Sequence, residues 1–149
     1  MSGAFDGTKH ILPVRVYYED TDFSGIVYHA NYLRFAERGR SDFIRLAGVN
    51  HRDMAAREPS LAFAVSHMDI GFHGPARIDD MLSVETVFTH AKGARMRAVQ
   101  RILCEGRLLW QARVDIACID MDGRPRRLPA DIVEKLAGYV STDMSLALE

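Results

Sequence analysis

The chain has 149 residues, with 19 Lys or Arg against 20 Asp or Glu, so its formal charge is −1 when the six histidines are neutral. This balance excludes a strongly basic nucleic-acid-binding protein and argues against a membrane-surface protein. With 48% apolar and 26% charged residues, the composition is that of a globular protein. A chain of this length buries roughly 68–70% of its unfolded surface, and one domain is expected.

The first ten residues lack the charged start and apolar core of a signal peptide, and no later segment reaches the ~20 apolar residues of a membrane span. We therefore expect a cytoplasmic protein without membrane insertion. Cys104 and Cys118 fall in strand-like apolar runs, which favours reduced core thiols over a disulfide or a zinc site. The predicted domain covers residues 9–140, with tails at 1–8 and 141–149.

The predicted elements begin with a strand over 11–19 and a polar, acidic loop over 20–25. From His29 to Ala47 the apolar period becomes 3.6, which predicts the longest helix. Its predicted inner face consists of Tyr32, Leu33, Ala36, Phe43, Ile44 and Ala47. Its predicted outer face consists of Arg34, Glu37, Arg38, Ser41, Asp42 and Arg45. Gly39 on the inner side costs about 1 kcal/mol of helix propensity, and we expect a close approach to a sheet in return.

A short helix at 51–57 precedes four segments in which apolar and polar residues alternate with period two. These predicted strands lie at about 61–72, 82–88, 95–104 and 108–118, and a final helix runs over 130–140. The sequence therefore predicts an α+β domain in which a long central helix packs on a five-stranded antiparallel sheet. Because one sheet face and the edge strands stay uncovered, pairing with a second subunit is expected.

The candidate chemistry lies in the loop that directly precedes the long helix. A helix start presents unpaired N–H groups and a partial positive charge, so it can polarise a carbonyl and hold an oxyanion. Asp22, seven residues before His29, is close enough to face such a carbonyl. Its carboxylate could act as a nucleophile or as a general base for water, and the spacing leaves both open. The alternative is that the polar loop residues serve only as turn and cap residues.

The segment Tyr18–Leu33, YEDTDFSGIVYHANYL, closely resembles the signature of the hot-dog-fold acyl-CoA thioesterases of the 4-hydroxybenzoyl-CoA thioesterase superfamily. Within it, the segment resembles the YbgC-type branch, which is associated with the bacterial Tol-Pal envelope system. The resemblance implies a hydrolase that converts an acyl-CoA into a free carboxylic acid and CoA without a cofactor. It implies that Asp22 is the catalytic carboxylate, that the His29 backbone N–H polarises the thioester carbonyl, and that Tyr28 lies nearby.

The resemblance also implies a homodimer, or a homotetramer built as a dimer of dimers, with acyl carrier protein as an alternative carrier of the acyl group. Basic side chains are expected to bind the CoA phosphates, and the candidates are Lys92, Arg95, Arg126 and Arg127. Two other hypotheses are an acyl-thioester dehydratase or hydratase on the same fold and a non-catalytic acyl-binding module associated with the envelope.

Three potential metal ligands, His67, Asp69 and His73, lie at alternating positions of one predicted strand. The chain has no His-Glu-x-x-His segment and no Cys/His pairs at zinc-finger spacing. We therefore expect no metal, and we interpret these three residues as a polar patch.

Overall fold

The computed structural model describes residues 2–141 and contains one antiparallel sheet. Its strands are β1 Ala4–Asp6, β2 Lys9–Arg15, β3 Leu61–Phe72, β4 Met81–Lys92, β5 Arg95–Cys104 and β6 Arg107–Asp120. Their spatial order is β1-β2-β4-β5-β6-β3. The sheet thus has six strands rather than the predicted five, because β1 forms within the segment expected to be a tail. A strand of three residues is too short for alternation to reveal it.

In the described part of the chain, three α-helices accompany the sheet: α1 Asn31–Leu46, α2 His51–Ala55 and α3 Ala130–Ala137. The predicted first strand ends earlier than expected, and Tyr18–Asp20 instead form one turn of 3₁₀ helix. The predicted turn between β5 and β6 is present, with Glu105 at φ 50 and Gly106 at φ 78. Two successive positive φ values match the twist of a tight hairpin, which explains a glycine at the second position.

The long helix α1 packs against the sheet at Gly39, as expected from its sequence. A Cβ at this position would lie 2.8 Å from Cγ1 of Val84 and 3.0 Å from Oγ1 of Thr86. The α1 side chains that reach the core include Tyr32, Phe35 and Phe43. The prediction for Leu33 was wrong, since its side chain is 39% exposed.

Asp42 was also misplaced by the sequence analysis, which assigned it to the solvent face of α1. Its side chain is buried in the structure, and its Oδ2 lies 2.7 Å from Nε2 of His10. The same oxygen accepts a hydrogen bond from the backbone N–H of Gly3 at 2.8 Å. Helical periodicity places Asp42 beside polar neighbours, but the partner that stabilises its burial is far away in sequence on β2.

Among residues 2–141, the strand β3 forms one edge of the sheet and pairs only with β6, from Leu61 opposite Asp120 to Phe72 opposite Trp110. Apolar side chains are left in solvent along it, with Val65 46%, Ile70 38% and Phe72 54% exposed. A long edge with free backbone groups and apolar side chains is a ready surface for pairing with another strand.

One further expectation concerns the two cysteines. Cys104 and Cys118 are buried and free, which confirms the prediction of reduced core thiols. No helix among residues 2–141 is long and apolar enough to cross a membrane.

Candidate active site

The loop between the 3₁₀ turn and α1 is held in shape by its own backbone. Thr21 and Val27 form an isolated bridge, and the N–H of Asp22 donates to the carbonyl of Ile26 at 2.9 Å. The N–H of Gly25 donates back to the carbonyl of Asp22 at 3.0 Å, with Gly25 at φ +82. A residue with a side chain rarely adopts this φ, so glycine allows the chain to turn directly after Asp22. Asp22 is therefore the first residue of a tight turn over residues 22–25.

The carboxylate of Asp22 is exposed and accepts two hydrogen bonds from Ser24. The Ser24 backbone N–H donates to Oδ1 at 2.8 Å, and the Ser24 hydroxyl donates to the same oxygen. The bond from the hydroxyl, then the bond from the backbone N–H, and to a lesser degree the nearby His29 lower the pKa of Asp22 below its usual 3.8. Asp22 is therefore ionised near neutral pH, the form required of a nucleophile or a general base.

The segment between β3 and β4 forms backbone contacts with this loop. The N–H of Val27 donates to the carbonyl of Ala76 at 2.8 Å, and Ile26 forms a bridge with Arg77. The N–H of Ala76 in turn donates to the buried hydroxyl of Tyr32 on α1 at 3.1 Å. Burial raises the pKa of Tyr32, so its hydroxyl is neutral near neutral pH.

Tyr28 and His29 lie where the loop enters α1, and both side chains are exposed. Their ring centroids are 4.6 Å apart. Within residues 2–141, the backbone N–H of His29 donates to no acceptor, in contrast to the N–H groups of Tyr28 and Asn31. The structure thus brings the three predicted catalytic residues together on one loop, with a free N–H at the helix start.

Two buried polar residues at this site were missed by the sequence analysis. Asp20 and Asn31 are each only 4% exposed, and the Asn31 Nδ2 donates to the Asp20 Oδ1 at 2.7 Å. The available signal was their type, because Asp and Asn are common where a helix begins. Spacing alone could not show that they face each other.

The predicted CoA-binding residues lie at the other end of the sheet. Lys92 and Arg95 are paired across the turn between β4 and β5, and Arg95 lies opposite Ala117 of β6. Arg126 donates from Nε to the buried Asp120 at 2.8 Å, and with Arg127 it lines a cavity of about 680 Å³. The start of α1, which directly follows the Asp22 loop, instead lies at the Phe72 end of β3, since Tyr32 and Phe72 have ring centroids 5.9 Å apart. One chain therefore does not bring these basic residues to Asp22.

The polar patch on β3 has the form of an ion-pair ladder rather than a ligand cluster. His67 Nε2 lies 3.4 Å from Asp69 Oδ1, and Arg113 donates to Asp69 Oδ2 at 2.9 Å. Across the described part of the chain, no three His, Cys, Asp or Glu side chains are grouped closely enough to hold a metal ion.

A long helix packed on a single antiparallel sheet is the architecture of the hot-dog thioesterase fold. Residues 16–136 match the family model described as "Thioesterase-like superfamily". The chain belongs to this superfamily.

The chain is similar to two curated thioesterases in sequence and to a solved thioesterase in structure. "Acyl-CoA thioester hydrolase YbgC" of Escherichia coli is 42% identical over 123 residues, which cover 81% of this chain and 90% of the relative. "Acyl-CoA thioesterase YbgC" of Haemophilus influenzae is 40% identical over 122 residues, 81% of this chain and 89% of that relative. A crystal structure of a probable thioesterase from Bartonella henselae is 48% identical, with a TM-score of 0.78 over 81% of this chain and 99% of the other.

Proposed function

We propose that this thioester hydrolase cleaves an acyl-CoA into a free carboxylic acid and CoA, with Asp22 as nucleophile or general base and the His29 N–H polarising the carbonyl. The observation that carries the proposal is the position of an exposed, ionised carboxylate on the same short loop as a free N–H at a helix start. The YbgC relatives, named as acyl-CoA thioesterases, support CoA as the carrier. Acyl carrier protein is the alternative carrier.

The hydrogen bonds of Asp22 indicate which oxygen reacts. Both bonds from Ser24 go to Oδ1, which leaves Oδ2 to approach the substrate. As a nucleophile, Oδ2 attacks the thioester carbonyl carbon, the C–S bond breaks, CoA leaves as a thiolate, and water hydrolyses the resulting anhydride. As a general base, Oδ2 takes a proton from water, whose oxygen attacks the same carbon and expels the same thiolate.

Both routes place negative charge on the former carbonyl oxygen, and the start of α1 suits that charge. The His29 N–H is available to donate to this oxygen, and the 16-residue helix Asn31–Leu46 adds the partial positive charge of its N-terminus. Removal of a single oxyanion donor typically costs about 10²–10³ in rate, so this amide is a major part of the proposed catalyst.

A homodimer formed along β3 would explain why the candidate CoA ligands lie far from Asp22. Antiparallel pairing of two β3 edges around a twofold axis sets the Leu61 end of one strand beside the Phe72 end of the other. The basic end of a second copy, with the residues equivalent to Lys92, Arg95, Arg126 and Arg127, would then approach the Asp22 loop of the first. A tetramer of two such dimers, a cytoplasmic location and an association with the Tol-Pal system are further expectations of the proposal.

The decisive experiment is release of free thiol from short, long and aromatic acyl-CoAs by wild type, Asp22→Asn and Asp122→Asn. Asp22→Asn is nearly isosteric but lacks a carboxylate, and we expect it to lose at least about 10²-fold in rate. Asp122, in the exposed turn after β6, is the matched control and is expected to keep wild-type activity. Retained activity in Asp22→Asn would remove Asp22 from catalysis, and no turnover of any CoA ester would refute CoA as the carrier.

A further inference from the structure

The carboxylate of Asp20 occupies an unusual position for an acidic side chain. It is 4% exposed, and both of its oxygens accept hydrogen bonds: Oδ1 from Asn31 Nδ2 at 2.7 Å and Oδ2 from the backbone N–H of Tyr17 at 2.8 Å. Among residues 2–141, no Lys, Arg or His nitrogen lies within ion-pairing distance of it. A buried carboxylate held only by neutral donors is costly unless every bond is made, so its geometry is strictly fixed.

Asn31 is equally constrained at the other end of this contact. It is the first residue of α1 and is 4% exposed. Its Oδ1 accepts a bond from Arg34 at 3.2 Å, and its backbone N–H donates to the Tyr28 carbonyl at 2.8 Å. The side chain thus has no freedom to rotate away from Asp20 without losing bonds on both sides of its amide.

The pair spans the loop that carries the proposed chemistry. Asp20 lies two residues before Asp22, and Asn31 lies two residues after His29. Two residues reach at most about 7 Å, so a fixed distance between Asp20 and Asn31 confines the carboxylate and the amide relative to each other. Two backbone bonds also join the arms of the loop, from the Tyr28 N–H to the Asp20 carbonyl and from the Asp22 N–H to the Ile26 carbonyl, each at 2.9 Å. The side-chain bond between Asp20 and Asn31 extends this pairing to the first residue of α1.

We infer that Asp20 and Asn31 are positioning residues, whose hydrogen bond sets the separation between the Asp22 carboxylate and the His29 N–H. This inference rests on the proposed function for its kinetic consequence. A simpler role for Asp20, capping the 3₁₀ turn, accounts for the bond from Tyr17 to Oδ2. It does not account for the bond from Asn31, which joins the turn to a different helix.

The test is a swap of the two side chains. In Asp20→Asn, one amide oxygen faces two donors, from Tyr17 and Asn31, and can satisfy only one of them. In Asn31→Asp, two carboxylates face each other. In the double variant Asp20→Asn/Asn31→Asp, the new amide at position 20 donates to the new carboxylate at position 31 and still accepts the Tyr17 N–H, so the contact is restored.

We expect each single variant, and Asn31→Ala, to lower kcat for acyl-CoA hydrolysis by about 10- to 10²-fold with little change in KM, since a displacement of about 1 Å can cost 10²-fold. The double variant is expected to recover most of kcat. Asn50→Ala is the matched control, because it removes an Asn–Asp contact of 2.9 Å at the start of α2, away from the loop. It should leave kcat unchanged, even if it lowers the melting temperature as much as Asn31→Ala does.

A second measurement needs no turnover. Backbone ¹⁵N relaxation is expected to show the Asp22 and His29 amides ordered in wild type and in the double variant, and less ordered in the single variants. Wild-type kcat in Asn31→Ala, or a double variant no better than the singles, would overturn the inference. If wild type hydrolyses no acyl-CoA, the proposed function fails, and unchanged order of these amides in Asn31→Ala would then overturn the positioning role separately.

Discussion

His10 on β2 and Asp42 on α1 form a buried pair in which His10 Nε2 and Asp42 Oδ2 are 2.7 Å apart. His10 is fully buried, and its other ring nitrogen, Nδ1, has no hydrogen-bond partner among the described residues. Because the same Asp42 oxygen accepts the Gly3 N–H, this one carboxylate joins the N-terminal segment, the sheet and the long helix.

Asp42→Ala is expected to destabilise the domain by about 3 kcal/mol, because it leaves the buried His10 ring without any partner. The midpoint of denaturant unfolding measures the change. Asp6→Ala provides the control at an exposed carboxylate of β1, where the expected effect is within about 0.5 kcal/mol. Equal, small effects of the two substitutions would show that the His10–Asp42 contact contributes little to stability.

Gly39→Ala is expected to destabilise the domain by about 1–3 kcal/mol, although alanine is the better helix former. The added methyl would lie 2.8 Å from Val84 and 3.3 Å from the Gln100 Nε2, which is itself bonded to the Ala36 carbonyl and to Thr86. Gly138→Ala, where a Cβ meets nothing within 4 Å, should be neutral or stabilising by up to about 1 kcal/mol. Thermal unfolding of both variants checks the comparison, and a stable Gly39→Ala would contradict the close packing.

Ser24→Ala is expected to move the acid limb of the pH profile for hydrolysis to higher pH. The Ser24 hydroxyl is the largest cause of the lowered pKa of Asp22, and its removal lets that pKa rise toward 3.8. The proposed activity requires the ionised carboxylate, so the rate falls as the pH drops through the pKa of Asp22. With a higher pKa, the rate therefore begins to fall at a higher pH. The profile of kcat/KM between pH 3 and 7, with folding followed by circular dichroism, gives the result. Ser41→Ala, which removes a hydroxyl–carboxylate bond to Glu37 further along α1, should leave the limb in place.

Ile70→Lys is expected to weaken self-association and to lower thiol release in parallel. A lysine on an exposed edge strand opposes pairing with a second edge, and the proposed site draws its CoA ligands from the second copy. Met121→Lys is the control, since Met121 lies at an exposed turn after β6 and is 64% exposed. Light scattering at fixed protein concentration reports the mass. A wild-type protein that is monomeric and fully active would rule out a dimer along β3.

Much of the fold follows from local pattern. The period of 3.6 predicts α1 within two residues at its start and one at its end, and the close approach at Gly39 is also correct. The errors concern residues whose environment is set by distant parts of the chain. Leu33 is apolar but faces outward, and Asp42 is charged but buried. The burial of Asp42 could not be predicted from local pattern, because its partner His10 lies 32 residues away in the sequence.

The candidate site likewise combines residues that are close in sequence with contacts that depend on the tertiary fold. Asp22, Tyr28 and His29, predicted as site residues with the help of the resemblance, lie close together because one short loop carries them all, so their proximity does not depend on the tertiary fold. The contact between Asp20 and Asn31 depends on how that loop closes, which spacing does not determine. The placement of Lys92 and Arg95 depends on the sheet and on the proposed second copy, and no pattern within one chain encodes it.

The two margins of the sheet differ greatly in length, since β1 has three residues and β3 has twelve. A sheet extended at both margins could grow without limit into a filament. Here the short margin offers too few backbone groups to recruit another strand, while the long one can be used only once by each molecule. The proposed union of two long margins would therefore consume both, and growth of the sheet would end at two copies.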